Sequence, residues 1–191
     1  TTNINADITT SDDNVSFNEA VVLLSDVLID TATGIGNITF NADIYGDYKL
    51  TLAAGTGNID FNSTVGAGAA LSGLVITSAA NLDFEDAVNV DDQGIDITAN
   101  TIDLRGEITT SNSGAVTIDN RDLLAIYAKL NLDGSFTQDS SAGTGTTDIK
   151  ADITTTNDNV FFDDAVMLKS DVSIDTDTGI GNITFDSNVY G

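Results

Sequence analysis

The sequence predicts an all-β chain wound as a parallel β-helix, a solenoid with about 20–23 residues per turn. Three observations carry that expectation. A 46-residue unit occurs twice, a shorter period runs inside it, and proline is absent altogether.

The long repeat aligns residues 1–46 with residues 146–191 at an offset of 145, with 31 of 46 positions identical. Most exchanges are conservative, such as Ile44 to Val189 and Glu19 to Asp164. On this reading residues 1–191 form one continuous solenoid segment, cut from a longer array. The short period is set by NVSF at Asn14, NITF at Asn37, NIDF at Asn58 and NLDF at Asn81, which start at intervals of 23, 21 and 23 residues. TIDL follows at Thr101, and the series restarts with NVFF at Asn159 and NITF at Asn182. Seven turns of about 21 residues would account for the 145-residue offset.

Along the chain, the tracts GNITF, YKLTL, GNIDF, GLVIT, GIDIT and GAVTI are short and mostly alternate apolar with polar residues, as strands do. Small-residue stretches separate them (ATGIG, AAGTG, GAGAA and SSAGTG), where glycine tolerates positive φ. The segment RDLLAIYAKL carries both periods. Leu123, Ile126, Tyr127 and Leu130 have helical spacing, but Leu124, Ile126, Ala128, Leu130 and Leu132 alternate over a longer run, which favours a strand. A proline would remove a ladder hydrogen bond from any turn flanked on both sides, so its absence fits uninterrupted pairing.

One turn of such a coil encloses almost nothing, so its neighbours are its only burial partners. Stacking at about 4.8 Å places Phe17, Phe40, Phe61 and Phe84 in one interior column, with Phe162 and Phe185 expected in the same column. Ile38, Ile59 and Leu82 form an aliphatic column beside it, and Asn14, Asn37, Asn58 and Asn81 a ladder of amides at the turn. No polar cap is visible at either end, so open strand edges are expected.

Composition narrows function. Thirty carboxylates against six Lys and Arg give a net charge of −24, which excludes ordinary nucleic-acid binding and attraction to an anionic membrane. With no Cys and no His, disulfides and conventional zinc sites are excluded. No apolar run reaches membrane-spanning length, so this segment is not expected to insert in a membrane.

The phrases TGIGNITFNADIYGDYKLTLAAGTGNIDFNSTVG, ALSGLVITSAANLDF and NLDGSFTQ…DIKADITT resemble the repeats of filamentous-haemagglutinin-like β-strand-repeat proteins, very large bacterial surface and secreted adhesins. The resemblance covers essentially the whole chain and implies a right-handed parallel β-helix, export to the bacterial cell surface or medium, and a role in adhesion, aggregation or a fibrous coat. It carries no ligand site over. Partners implied are further copies of the same repeat and a host or neighbouring cell surface or matrix.

Asp60, Asp83 and Asp103 occupy equivalent positions between inward residues, so they are expected to form an outward column of carboxylates. Such a column is either a solvated acidic face or a place where Ca²⁺ bridges neighbouring turns, since hard cations prefer oxygen ligands. The calcium-loop sequence patterns are missing. No catalytic residues stand out, because every carboxylate belongs to the repeating pattern and Arg105 and Arg121 lie near turns. The expected role is therefore a non-enzymatic structural and adhesive stalk or fibre. A self-assembling subunit of a filament, sheath or tube is the first alternative, and a polysaccharide-active β-helix enzyme the second.

Overall fold

The computed structural model describes residues 1–139 and 145–191. All secondary structure among them is β, every strand pairing is parallel, and the chain forms a β-solenoid of about eight turns. The segment RDLLAIYAKL resolves in favour of its alternation: strand Val116–Ile126 runs through it, with Leu124 and Ile126 buried and Tyr127 exposed. Of the SSAGTG stretch, residues 140–144 lie outside the described part.

Three strand positions per turn create three faces. Face 1 opens with Thr2–Ile4, face 2 with Ile8–Thr9 and face 3 with Val15–Phe17. On face 1 the register runs Thr2, Val21, Ile44, Val65, Val88, Ile108, Leu130, Ile153 and Ile174. On face 2 it runs Ile8, Ile29, Leu52, Ile76, Ile97, Ile118, Gln138, Phe162 and Phe185. On face 3 it runs Val15, Ile38, Ile59, Leu82, Ile102, Leu124, Thr147, Val166 and Val189. These rows point inward and build one hydrophobic core along the axis. Strands buried on one side and solvated on the other alternate, as Lys49–Ala53 does, with Leu50 and Leu52 inside.

The four phenylalanines Phe17, Phe40, Phe61 and Phe84 stack as expected, with centroid separations of 5.1, 5.2 and 4.7 Å and nearly parallel planes. Phe162 and Phe185 do not join them. They sit on face 2, where Phe162 packs between Phe136 (5.2 Å) and Phe185 (5.3 Å). The Phe17 column continues instead through Leu104, Ile126, Ile149 and Leu168.

This displacement follows from the phase of the long repeat. Thr147, the counterpart of Thr2, stands on face 3; Ile153, the counterpart of Ile8, stands on face 1; Val160, the counterpart of Val15, stands on face 2. Thr146–Ile149 is the eighteenth strand; two strands before it serve two faces each, and Val65 holds face 1 as a bridge, so it is the twenty-first strand position. The repeat is thus twenty positions at three per turn, or six and two-thirds turns, not the seven that division of its length suggests. Each copy therefore appears rotated by a third of a turn, about 32 Å further along the axis. Sequence spacing could not reveal this, because corners absorb variable numbers of residues. Thr2 and Val21 are 19 residues apart, whereas Leu52 and Ile76 are 24 apart.

The corners have their own chemistry. Thr31 Oγ1 donates to Gly36 O (2.7 Å) and its counterpart Thr176 to Gly181 O (3.2 Å); Thr10, Thr110 and Thr155 staple their corners in the same way. Positive φ recurs at equivalent sites, at Asp12 and Asn157 and at Ala32 and Asp177. At Gly66 (φ 75°) a Cβ would lie 2.2 Å from Asn89 O, so only glycine lets this corner pass beneath the next turn.

Candidate functional site

Asp60, Asp83 and Asp103 do form one row on face 3, each paired with the next in register. They point outward between the inward pairs Ile59/Phe61, Leu82/Phe84 and Ile102/Leu104. Ala125 interrupts the row and Asp148 resumes it. Burial, and secondarily the charge of Asp83, pushes the Asp60 carboxyl above its ordinary range.

Arg105 reshapes this row. Its Nε donates to Asp83 Oδ1 (2.9 Å) and Oδ2 (3.1 Å), its Nη2 donates to Asp103 Oδ2 (2.8 Å), and Glu85 Oε1 lies 3.4 Å from Nε. One guanidinium thus spans two of the three candidate carboxylates, a role suited to its planar fork. Among the described residues no group of three or more acidic side chains converges as a metal cluster.

Just past face 3, a corner column stacks Glu85, Arg105, Tyr127, Lys150 and Lys169, as the backbone hydrogen bonds between turns establish. Lys150 Nζ sits 3.6 Å from the Tyr127 ring centroid and the Arg105 guanidinium 5.2 Å from it, so the ring lies between two cations. Lys169 Nζ approaches Asp148 Oδ2 at 3.6 Å. The corner holds three of the chain's six cations. Sequence reasoning missed it, although the 22, 23 and 19-residue steps from Arg105 to Lys169 match the turn lengths.

The asparagine ladder is present with a particular geometry. Asn14 Oδ1 accepts from the Asn37 backbone N–H (2.8 Å) and Asn37 Oδ1 from the Asn58 N–H (2.8 Å), while Asn58 Oδ1 accepts from Asn81 Nδ2 (2.8 Å). Asn159 and Asn182 repeat the bond to the backbone (2.9 Å). A second ladder, Asn18–Asn41–Asn62, runs from side chain to side chain on the far side of the phenylalanine column.

A buried polar cluster was also unforeseen. Gln138 takes an inward position on face 2, directly in register with Phe162. Its Nε2 donates to Asn120 Oδ1 and Asp164 Oδ2 (2.9 Å each), and its Oε1 accepts from the backbone N–H groups of Asp163 (3.1 Å) and Asp164 (2.9 Å). Asn120 Nδ2 also donates to Asp164 Oδ2 (3.3 Å). The alternation of Phe136 and Gln138 in SFTQ was the available signal.

Compared with known proteins, the chain matches no family model, no curated protein and no solved structure.

Proposed function

We propose that this chain is a non-enzymatic structural and adhesive segment of a large bacterial extracellular surface protein, acting as a stiff stalk or fibre. The observation that carries the reading is the axial continuity of the core: three inward rows, each buried by the turns above and below, make the rod itself the product of the sequence. Side chains outside are arranged in ladders along that axis, in the asparagine columns, the aspartate row and the Arg105–Tyr127–Lys150 corner. Such ladders offer a long surface of regular spacing rather than a concave pocket, which suits contact with another extended surface. The partners in this reading are a host or neighbouring cell surface or matrix, and further copies of the repeat.

Electron microscopy of the purified chain should show single thin rods, and beads coated with it should adhere to cells or matrix. Beads that adhere no better than uncoated ones would overturn the adhesive part. Ordered multi-chain fibres or tubes would favour the alternative of a self-assembling filament subunit. Calcium belongs to this reading only where it can compete with Arg105 for the aspartate row. Melting curves that coincide in Ca²⁺ and in EDTA, for the chain and for Arg105→Gln alike, would remove the ion from it.

A further inference from the structure

We propose that a shallow groove on face 1, centred on Asn131, binds a neutral oligosaccharide laid along the axis of the solenoid. Such binding deepens the adhesive reading and rests on it for where the ligand is met. The groove lies well inside the chain, with a paired turn on either side of the three that form it.

Corner length makes the groove. Faces 1 and 2 are joined by six residue steps on one turn (Thr110 to Val116), four on the next (Leu132 to Phe136) and five on the one after (Thr155 to Val160). The two longer corners run through left-handed residues, Asn112 (φ 51°) and Ser113 (φ 67°) on one side and Asn157 (φ 64°) on the other. The short corner recedes between them. What results is an open groove of about 360 Å³, at the lower end of the range for small-molecule sites. Two outward rows line it, Thr109–Asn131–Thr154 and Ser111–Asp133–Thr156, with buried Leu132 at its floor.

The lining chemistry selects the ligand. Neighbours within each row stand about 4.8 Å apart along the axis. Most carry a hydroxyl or an amide, which both donates and accepts, as every sugar hydroxyl does. The hydroxyls of Thr109 and Thr154, on either side of Asn131, make no hydrogen bond among the described residues. Asp133 is held in place: its Oδ2 accepts from the Ser113 backbone N–H (2.9 Å), and its own N–H donates to Thr110 Oγ1 (3.0 Å). Asn131 Nδ2 donates to Glu107 Oε1. These contacts order the polar groups before a ligand arrives, which lowers the entropic cost of binding. Competing ligand classes meet the wrong surface. No Lys or Arg lines the groove while Asp133 does, so an anionic polymer is repelled. An extended peptide needs a free strand edge, but the face 1 strands here are paired on both sides. An apolar ligand would find little beyond Leu132 and threonine methyl groups.

The isotope-labelled 191-residue chain can be titrated by NMR with neutral gluco-, manno- and galacto-oligosaccharides. At least one of them should shift the amide resonances of Thr109, Asn131, Asp133 and Thr154 below about 10 mM, and a uronic-acid oligomer should not. Thr109→Val with Thr154→Val removes both hydroxyls but keeps their shape and strand propensity, so binding should weaken about tenfold with the melting temperature unchanged. Thr51→Val, at an outward position on face 2, should bind as the parent does. A silent neutral panel, shifts confined to residues outside the groove, full binding by the double variant, or tighter binding of the uronate would each overturn the groove. Beads coated with the parent chain separate the two readings. Adhesion with a silent titration would overturn the groove and leave the stalk standing; a responding groove on beads that do not adhere would uphold the groove and overturn the adhesive reading.

Discussion

The two copies of the 46-residue unit have nearly the same sequence and different surroundings. The first copy occupies faces 1, 2 and 3 in that order with turns only on its C-terminal side among the described residues; the second occupies faces 3, 1 and 2 and rests on the turn that contains Leu124, Leu130 and Gln138. Their inward residues are almost unchanged. Ile4, Ile8, Val15, Phe17, Val21, Leu23, Val27, Ile29, Ile38 and Phe40 all recur, and Ile44 to Val189 is the single inward exchange. Outward residues differ freely, with Leu24 replaced by Lys169, Leu28 by Ser173 and Val22 by Met167. A unit can therefore move to another face without repacking, because each face asks for the same pattern of inward apolar residues. Position in the stack, rather than local sequence, sets what each residue contributes.

The largest expected effect separates Phe40 from Phe185. Phe40 is 1% exposed between Phe17 and Phe61, so Phe40→Ala should cost about 4 kcal/mol in denaturant unfolding. Phe185, its counterpart, stacks on Phe162 alone, so Phe185→Ala should cost about 2 kcal/mol. Equal costs would mean that the last turn is covered in solution, and concentration dependence of the Phe185 effect would then point to a second chain.

Next comes the exchange of Glu19 for Asp164. Glu19 lies in the open, on the surface of the first copy. Asp164 is 5% exposed and accepts from Gln138 and Asn120. Asp164→Ala should cost about 3 kcal/mol, because two buried amide donors lose an acceptor. Glu19→Ala should leave the melting temperature unchanged within error. If Asp164→Ala were equally silent, the polar cluster would be solvated rather than buried.

Much of this was legible in the sequence, and the limits are physical. Regular recurrence of Asn and Phe at the start of the chain revealed the solenoid, the phenylalanine stack, the asparagine ladder and the aspartate row, because in-register parallel stacking turns a sequence period directly into contacts. Phe162 and Phe185 were placed in the wrong column because their spacing matches that of Phe17 and Phe40 and carries no information about which face they occupy. Arg105 was read as a turn residue; its reach to Asp83 on the neighbouring turn depends on side-chain length and register together. Gln138 stayed hidden because a polar residue at an inward position is meaningful only once Asn120 and Asp164, 18 and 26 residues away, are seen beside it.

The smallest effect tests position in the stack. Thr2 begins face 1, exposed, with only Val21 in register beside it. Its counterpart Thr147 lies on face 3 between Leu124 and Val166, fully buried, with no hydrogen-bond partner for Oγ1 among the described residues. A threonine hydroxyl left unpaired in an aliphatic row costs about 1–3 kcal/mol, whereas a valine of nearly the same shape fills the space without that penalty. Thr147→Val should therefore stabilise the chain by about 1 kcal/mol, while Thr2→Val should change stability by less than about 0.5 kcal/mol. Both substitutions raise β propensity alike, so the difference between them isolates burial. Were Thr2→Val to stabilise as much as Thr147→Val, the two residues would occupy equivalent environments, and position in the stack would not be what separates the two copies.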